Sequence, residues 1–242
     1  MLVDPEKISQ NCAAILERLT QAAKRSGRSL ADITLVAVTK NVPVESLGKA
    51  WAFGLRHFGE NRVQEAERKK SDFAARFGDT PGLTWHLLGH LQSNKAKKAA
   101  ALFDRFQSLD SFPLAERLNK EGLSLGRPLR CLVEVKISDE PTKQGVAPQD
   151  VDDFLARLAP LEFIRVDGLM TIAPYLDDPR AGRPYFQRMR SLFDRNRPRF
   201  KTEAPVLSMG MSHDFETAVE EGATMVRIGT AIFGERPRPE KA

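Results

Sequence analysis

The chain has 242 residues, 41% of them hydrophobic, a net charge of +5 and a pI of about 9.3. That is enough apolar material for a full core, and α/β barrels of this length often form one unit. No apolar run approaches the ~20 residues that a bilayer crossing needs. The start, Met1-Leu-Val-Asp-Pro-Glu-Lys7, lacks the cationic and apolar stretches of a secretory leader. Cys12 and Cys131 stand outside any Cys-x-x-Cys or Cys/His cluster, which argues against structural zinc and a disulfide framework. A reduced, cytoplasmic protein is expected.

In chain order, a helix is predicted from Asp4 to about Lys24, with Asp4 as its cap, Pro5 at its first position and Ile8, Cys12, Ile15, Leu16 and Leu19 on one stripe. Cys12 is read as core. Eight short apolar runs follow: Thr34–Thr39, Arg56–Gly59, Thr84–Gly89, Arg105–Leu109, Leu129–Val135, Val166–Ile172, Val206–Met209 and Met225–Ile228. Between them lie segments of helical pattern, among them Val44–Phe53, Gln92–Phe103, Ala115–Glu121, Gln149–Leu158, Pro184–Asn196 and Phe215–Glu221. Strand alternating with helix implies right-handed crossovers and a parallel sheet. Eight such units in this length fit a closed (β/α)8 TIM barrel, α/β in class and a single domain over residues 1–242. An open doubly wound sheet is the alternative, but no glycine-rich dinucleotide fingerprint follows the first strand. Residues 236–242 are expected to form a frayed tail.

The basic clusters Arg68-Lys-Lys70, Lys95-Ala-Lys-Lys98 and Arg195-Asn-Arg-Pro-Arg199 lie on separate helical segments, each mixed with acids. They read as solvated faces rather than as a nucleic-acid surface. A basic balance also suits a phosphate ligand.

In a barrel, working residues gather where strands end and the following loops begin. Those positions here hold Lys40, Glu60-Asn61, His90, Asp110, Glu134 and Lys136, then Ser208-Met-Gly-Met-Ser212 and Arg227-Ile-Gly-Thr230. An amine leaving an apolar strand is poorly solvated as an ammonium, and a neutral amine is what condenses with a carbonyl. The loops after strands seven and eight carry glycines and hydroxyls suited to a phosphate. Together they read as two halves of a pyridoxal phosphate site. The plainer alternative is that Lys40 caps a strand and meets water. Asp214 and Glu216 are candidates for helix caps, or for weakening the anion site.

The runs Ala37-Val-Thr-Lys40, Phe58-Gly-Glu-Asn-Arg-Val-Gln-Glu65 and Trp85-His-Leu-Leu-Gly-His-Leu-Gln-Ser-Asn-Lys95 resemble the pyridoxal phosphate homeostasis protein family. So do Lys143-Gln-Gly-Val146, Gly168-Leu-Met-Thr171, Leu207-Ser-Met-Gly-Met-Ser212 and Met225-Val-Arg-Ile-Gly-Thr-Ala-Ile-Phe-Gly234. The family is a barrel similar to the N-terminal domain of alanine racemase; its members bind pyridoxal 5′-phosphate and act in vitamin B6 homeostasis. The resemblance implies that Lys40 forms the internal aldimine and that Asn61 lies near the ring edge. It also implies that Ser212, Gly229 and Thr230 hold the phosphate, with Ser208 or Met209 contributing, and that Arg227 faces the pyridine nitrogen. Lys136 departs from the family's usual asparagine, so it is either half of an inward salt bridge with Glu134 or a second cation near the cofactor.

A cationic Arg227 favours an unprotonated pyridine, a weak electron sink. Tyr175 and Tyr185 both follow the sixth strand, and no second domain is read that would bring a tyrosine opposite the lysine. These features favour a carrier, buffer or donor over an enzyme; a monomer, with apo-enzymes as recipients, is expected. An amino-acid racemase is the main alternative; a cofactor-free Schiff-base aldolase and a nucleic-acid binder follow. His86 reads as a core histidine, His90 is open, His213 reads as a surface residue, Glu60 as structural, and Trp51 and Trp85 as packing.

Overall fold

A computed structural model describes residues 4–138, 140 and 144–235. Helix α1, Pro5–Arg25, begins where the Asp4 carboxylate accepts from the Glu6 N–H at 3.0 Å, and Lys24 and Arg25 complement the dipole of its last turn. Ile8, Cys12, Ile15, Leu19 and Ala22 form its buried stripe. They pack α1 against α2 (Val44–Phe53), α8 (Phe215–Glu220) and α9 (Thr230–Phe233).

Eight parallel strands close into one barrel in sequence order: β1 Thr34–Val38, β2 His57–Glu60, β3 Thr84–Leu87, β4 Arg105–Leu109, β5 Leu129–Glu134, β6 Ile164–Met170, β7 Val206–Met211 and β8 Met225–Ile228. The (β/α)8 expectation holds. The remaining helices are α3 Val63–Phe77, α4 Ala96–Leu102, α5 Phe112–Leu125, α6 Val151–Leu158 and α7 Arg183–Asn196. Several elements exceed the sequence expectation, among them α5, β7 and α3. Strand β7 runs on to Met211, and α3 forms on a thin stripe of Val63, Ala66 and Phe73 within a heavily charged segment. The expected helix over Gln92–Phe103 instead opens with a 3₁₀ turn at Ser93–Lys95.

Side chains alternate across the wall. Phe58, Trp85, Phe106, Cys131, Leu169, Leu207 and Val226 face outward into the layer beneath the helices, the main hydrophobic core. The residues between them face a polar barrel interior of His86, Gln107, Ser208 and Arg227, all at most 4% exposed. Gly168 explains how β6 fits: it has φ +157, and a Cβ there would lie 1.9 Å from the Val206 carbonyl oxygen of β7. Only glycine admits that approach.

Closure pairs β1 with β8, Val36 opposite Arg227 and Ala37 opposite Ile228. The strands that end in Lys40 and in Gly229-Thr230 are therefore neighbours. Among the described residues no helix is long and apolar enough to cross a membrane. Residues 236–242 and Lys143 lie outside the described residues.

Candidate functional site

Lys40 follows β1 in a turn and is half-buried. The residues around it are held by a buried ionic cluster. The Thr39 N–H and hydroxyl donate to the Gly59 carbonyl, and that hydroxyl lies 2.6 Å from Glu60 Oε1. Lys69, on α3, donates to Glu60 Oε1 and Glu65 Oε1 at 2.7 Å each, and to the Thr39 carbonyl. Glu65 also accepts from the N–H of Asn41 at 2.5 Å, where the chain takes a left-handed φ of 55°. Both neighbours of Lys40 are thus fixed from α3. Glu60 is fully buried; burial raises its pKa, and Lys69 and Thr39 oppose that rise. Its structural reading stands, with Lys69 as the partner. The sequence places Lys69 with Arg68 and Lys70 on a solvated face. The structure corrects this, because Lys69 turns inward to Glu60 and Glu65 and is buried, and the Glu65–Lys69 spacing was the usable signal.

On the neighbouring strand end, the Ser212 hydroxyl oxygen accepts from the N–H groups of Gly229 (3.1 Å) and Ala231 (3.3 Å). This draws the loop after β7 against the turn that starts α9, beside the exposed Thr230. Gly210, with φ +91, lets the β7 loop close over α8, since a Cβ would sit 2.6 Å from that of Ala218. Asp214 braces the same loop through the Met211 N–H at 2.6 Å, and Glu216 is paired with Arg18 at 2.6 Å. Neither carboxylate caps the first turn of α8 with its side chain.

Ser208 and Met209 occupy other places. The Ser208 hydroxyl is fully buried inside the barrel, donating to Gln107 Oε1 (2.7 Å) and accepting from Arg227 (2.6 Å). Met209 packs outward in the core beneath the helices. Arg227 donates a second bond to the Thr171 carbonyl at 2.7 Å. Burial lowers its pKa to about 10, while Glu134 and Asp214 act the other way, so it stays cationic at neutral pH.

A cavity of about 290 Å³ opens at this end of the barrel between Asn61, His90, Glu134, Lys136 and Gln144. His90 is half-exposed, its Nδ1 3.0 Å from Asp110 Oδ2, and Asp110 Oδ1 is buried without a hydrogen-bond partner among the described residues. No ion pair joins Glu134 to Lys136 in the described residues, so the two share a cavity rather than a bridge. Burial first, then Asp110, pushes Glu134 up to about 7, and Arg227 moderates the rise.

A folded-state carboxyl raised in this way stabilises the fold below the ordinary carboxylate pKa, and that contribution is lost as pH rises towards 7. Glu134→Gln should therefore gain about 3 kcal/mol relative to the unmodified protein between pH 4.5 and pH 7. Urea unfolding across that range reads the slope, and parallel profiles would contradict it.

His86 is fully buried, bonded to His57 (3.0 Å) and Gln107 (2.9 Å), and burial holds its pKa well below the usual histidine value. His213 lies on the surface, stacked on Tyr175. Trp85 lies in the hydrophobic core, and Trp51 is partly buried against that core, edge-on to Phe73.

The alanine racemase N-terminal domain model matches residues 10–237. Pyridoxal phosphate homeostasis proteins of Aquifex aeolicus strain VF5 and Escherichia coli strain K12 are each 40% identical to this chain, over 94% and 97% of it and 97% and 99% of their own lengths. The chain belongs to the pyridoxal phosphate homeostasis protein family. PipY of Synechococcus elongatus PCC7942, solved with PLP bound, is 38% identical with a TM-score of 0.79, the match covering 94% of this chain and all of PipY. Alanine racemase of Corynebacterium glutamicum shares the fold at 20% identity and a TM-score of 0.69, over 99% of this chain and 63% of its own. The pyridoxal phosphate homeostasis proteins thus match over nearly the whole of both chains, whereas the racemase likeness shows the fold alone.

Proposed function

We propose that this protein holds pyridoxal 5′-phosphate at the C-terminal end of the barrel, covalently through Lys40, and serves vitamin B6 homeostasis as a carrier, buffer or donor. The observation that supports this is the pairing of β1 with β8, which brings the strand leading to Lys40 beside the strand leading to Gly229, across nearly the full length of the sequence. The donor set fits the group. The Ser212 hydroxyl, oriented by the Gly229 N–H that it accepts, and the exposed Thr230 hydroxyl would donate to a phosphate, with glycine at 229 allowing close approach. The Lys40 amine would be the group that holds the cofactor's aldehyde. Asn61 borders the cavity where the ring edge would lie. When bound, the cofactor supplies an electron sink for amino-acid chemistry.

The chain's own residues weaken that sink. Arg227 is a fixed cation, held by Ser208 and Thr171, and a cation facing the ring nitrogen disfavours its protonation. Tyr175 is 74% exposed and stacked on His213, while Tyr185 packs against the core. The family's name and the cofactor in PipY support the same reading.

One observation favours a second reading, a weak racemase-like activity: Glu134, with its pKa near 7, could move a proton in the cavity. Deuterium exchange at the α-carbon of several amino acids decides between them. The carrier predicts no saturable exchange; rapid exchange abolished by Glu134→Gln would establish an enzyme. For the carrier, loaded protein mixed with an apo-enzyme and a trap for free cofactor should still activate the enzyme if transfer is direct. Loss of activation indicates buffering instead.

A further inference from the structure

The other end of the barrel, where the strands begin, holds chemistry that the cofactor does not use. A cavity of about 580 Å³ opens there, lined by Arg28, Arg105, Arg130, Arg190 and Arg197, with Asp32 as its lining carboxylate. Asp32 already accepts from the Ser29 N–H and hydroxyl. Just inside, the buried Asp167 is shared by three guanidiniums: Arg130 at 2.5 Å, Arg165 at 3.0 Å and Arg105 at 3.3 Å. One carboxylate cannot balance three such charges. Arg28 spends donors on the Val219 and Ala223 carbonyls, which accept hydrogen bonds without cancelling its charge. Arg190 faces Asp194 at 2.6 Å on the outer surface. Burial first, then Arg130 and Arg165, depress the pKa of Arg105, while Asp167 and Asp104 act the other way. An anion in the cavity would offset the surplus positive charge.

A second observation joins this cavity to the cofactor end. Arg227 donates to Ser208, and Ser208 donates to Gln107 Oε1. The Gln107 amide nitrogen lies 2.9 Å from His86 Nδ1, and His86 Nε2 lies 3.0 Å from His57 Nδ1. A guanidinium can only donate, and both imidazoles are held neutral by burial, so the direction of every bond is set from one end. Gln107 donates to His86, His86 donates to His57, and the remaining N–H of His57 is left for the arginine cavity, which His57 lines. The chain crosses the barrel with all its donors aligned. An amide does not pass protons readily, so what it carries is polarisation.

The geometry points to a second ligand site at this end, taking a small polyanion with two or more phosphate or carboxylate groups, whose occupancy is felt at Arg227 through His57, His86, Gln107 and Ser208. A concave hollow suits a small molecule better than a strand of nucleic acid, which wants an extended groove with exposed aromatic faces; Phe193, the aromatic side chain lining this hollow, is 3% exposed. The effect on Arg227 rests on the cofactor reading above; the anion site does not.

Calorimetric titration with inorganic pyrophosphate tests the site, on protein both free of and loaded with pyridoxal phosphate. One saturable site is expected, weakened at least tenfold by the double change Arg190→Gln/Arg197→Gln, which leaves the Asp167 cluster intact, and unchanged by Arg180→Gln at the opposite end. The ring resonances of His57 should shift along the same isotherm. Absence of saturation, equal affinity in the double variant, or stationary His57 resonances would overturn the site; the last two would assign binding to the Ser212 loop. Displacement of pyrophosphate by a lower concentration of single-stranded RNA would overturn the small-anion assignment. In loaded protein the visible band should move on saturation. A saturable site with a motionless band overturns the coupling alone, and a site that persists when Lys40→Ala protein takes up no cofactor leaves the anion proposal standing by itself.

Discussion

Lys69→Met should destabilise the fold by about 3–5 kcal/mol, the range for removing one partner of a buried ion pair. Lys69 is 8% exposed and bonds Glu60, Glu65 and the Thr39 carbonyl at once, and Glu60 is fully buried. Without the ammonium, Glu60 keeps Thr39 as a donor and loses the charge that opposes its desolvation. Its folded-state pKa, already raised, climbs further. A raised carboxyl stabilises the fold below its unfolded pKa and loses that contribution as pH rises. The penalty should accordingly be larger at pH 8 than at pH 5, and the double change Glu60→Gln/Lys69→Met should recover part of it. Urea denaturation of the three variants measures this. The same substitution loosens both residues that flank Lys40, so cofactor retention should fall even at temperatures where the variant remains folded.

Lys40→Ala should cut retention of pyridoxal phosphate by about 100-fold or more, close to 3 kcal/mol, because ring and phosphate contacts remain while the covalent link is gone. The proposed phosphate holders Ser212, Gly229 and Thr230 reach their positions through β7, β8 and α9, and the Ser212–Gly229 hydrogen bond does not involve Lys40. Inorganic phosphate should therefore still compete with residual binding. Lys40→Arg separates charge from covalency: it keeps a cation but cannot condense with an aldehyde, and should lose as much as the alanine variant. Equilibrium dialysis and the visible spectrum report both. Retention by Lys40→Arg at the unmodified level would mean that Lys40 contributes only charge.

The strand–helix rhythm was legible because each strand needs an apolar outer row, and Phe58, Trp85, Phe106 and Leu207 supply it. Lys40, Ser212 and Gly229 could be placed at one end because strand ends in a parallel barrel share a face. The inner rows resisted reading. Ser208 lies one alternation step inward from Met209, and nothing local in Ser-Met-Gly-Met-Ser distinguishes a rim hydroxyl from one bonded to Gln107, a hundred residues earlier. Gln107 itself sits inside an otherwise ordinary strand. The clamp around Lys40 was half visible as Glu65 and Lys69 on one helix face, but its third member, Glu60, lies on another strand. The arginines that line the hollow at the strand beginnings, on β4, β5, α7 and the segments that follow α1 and α7, form a basin only when the barrel closes.

Borohydride reduction of loaded protein, followed by proteolysis and mass spectrometry, tests the central claim most directly. One modified site is predicted, at Lys40, with Lys69 and Lys136 unlabelled. A label on Lys136, which shares the cavity with Asn61 and Glu134, or a label spread over several lysines, would contradict it.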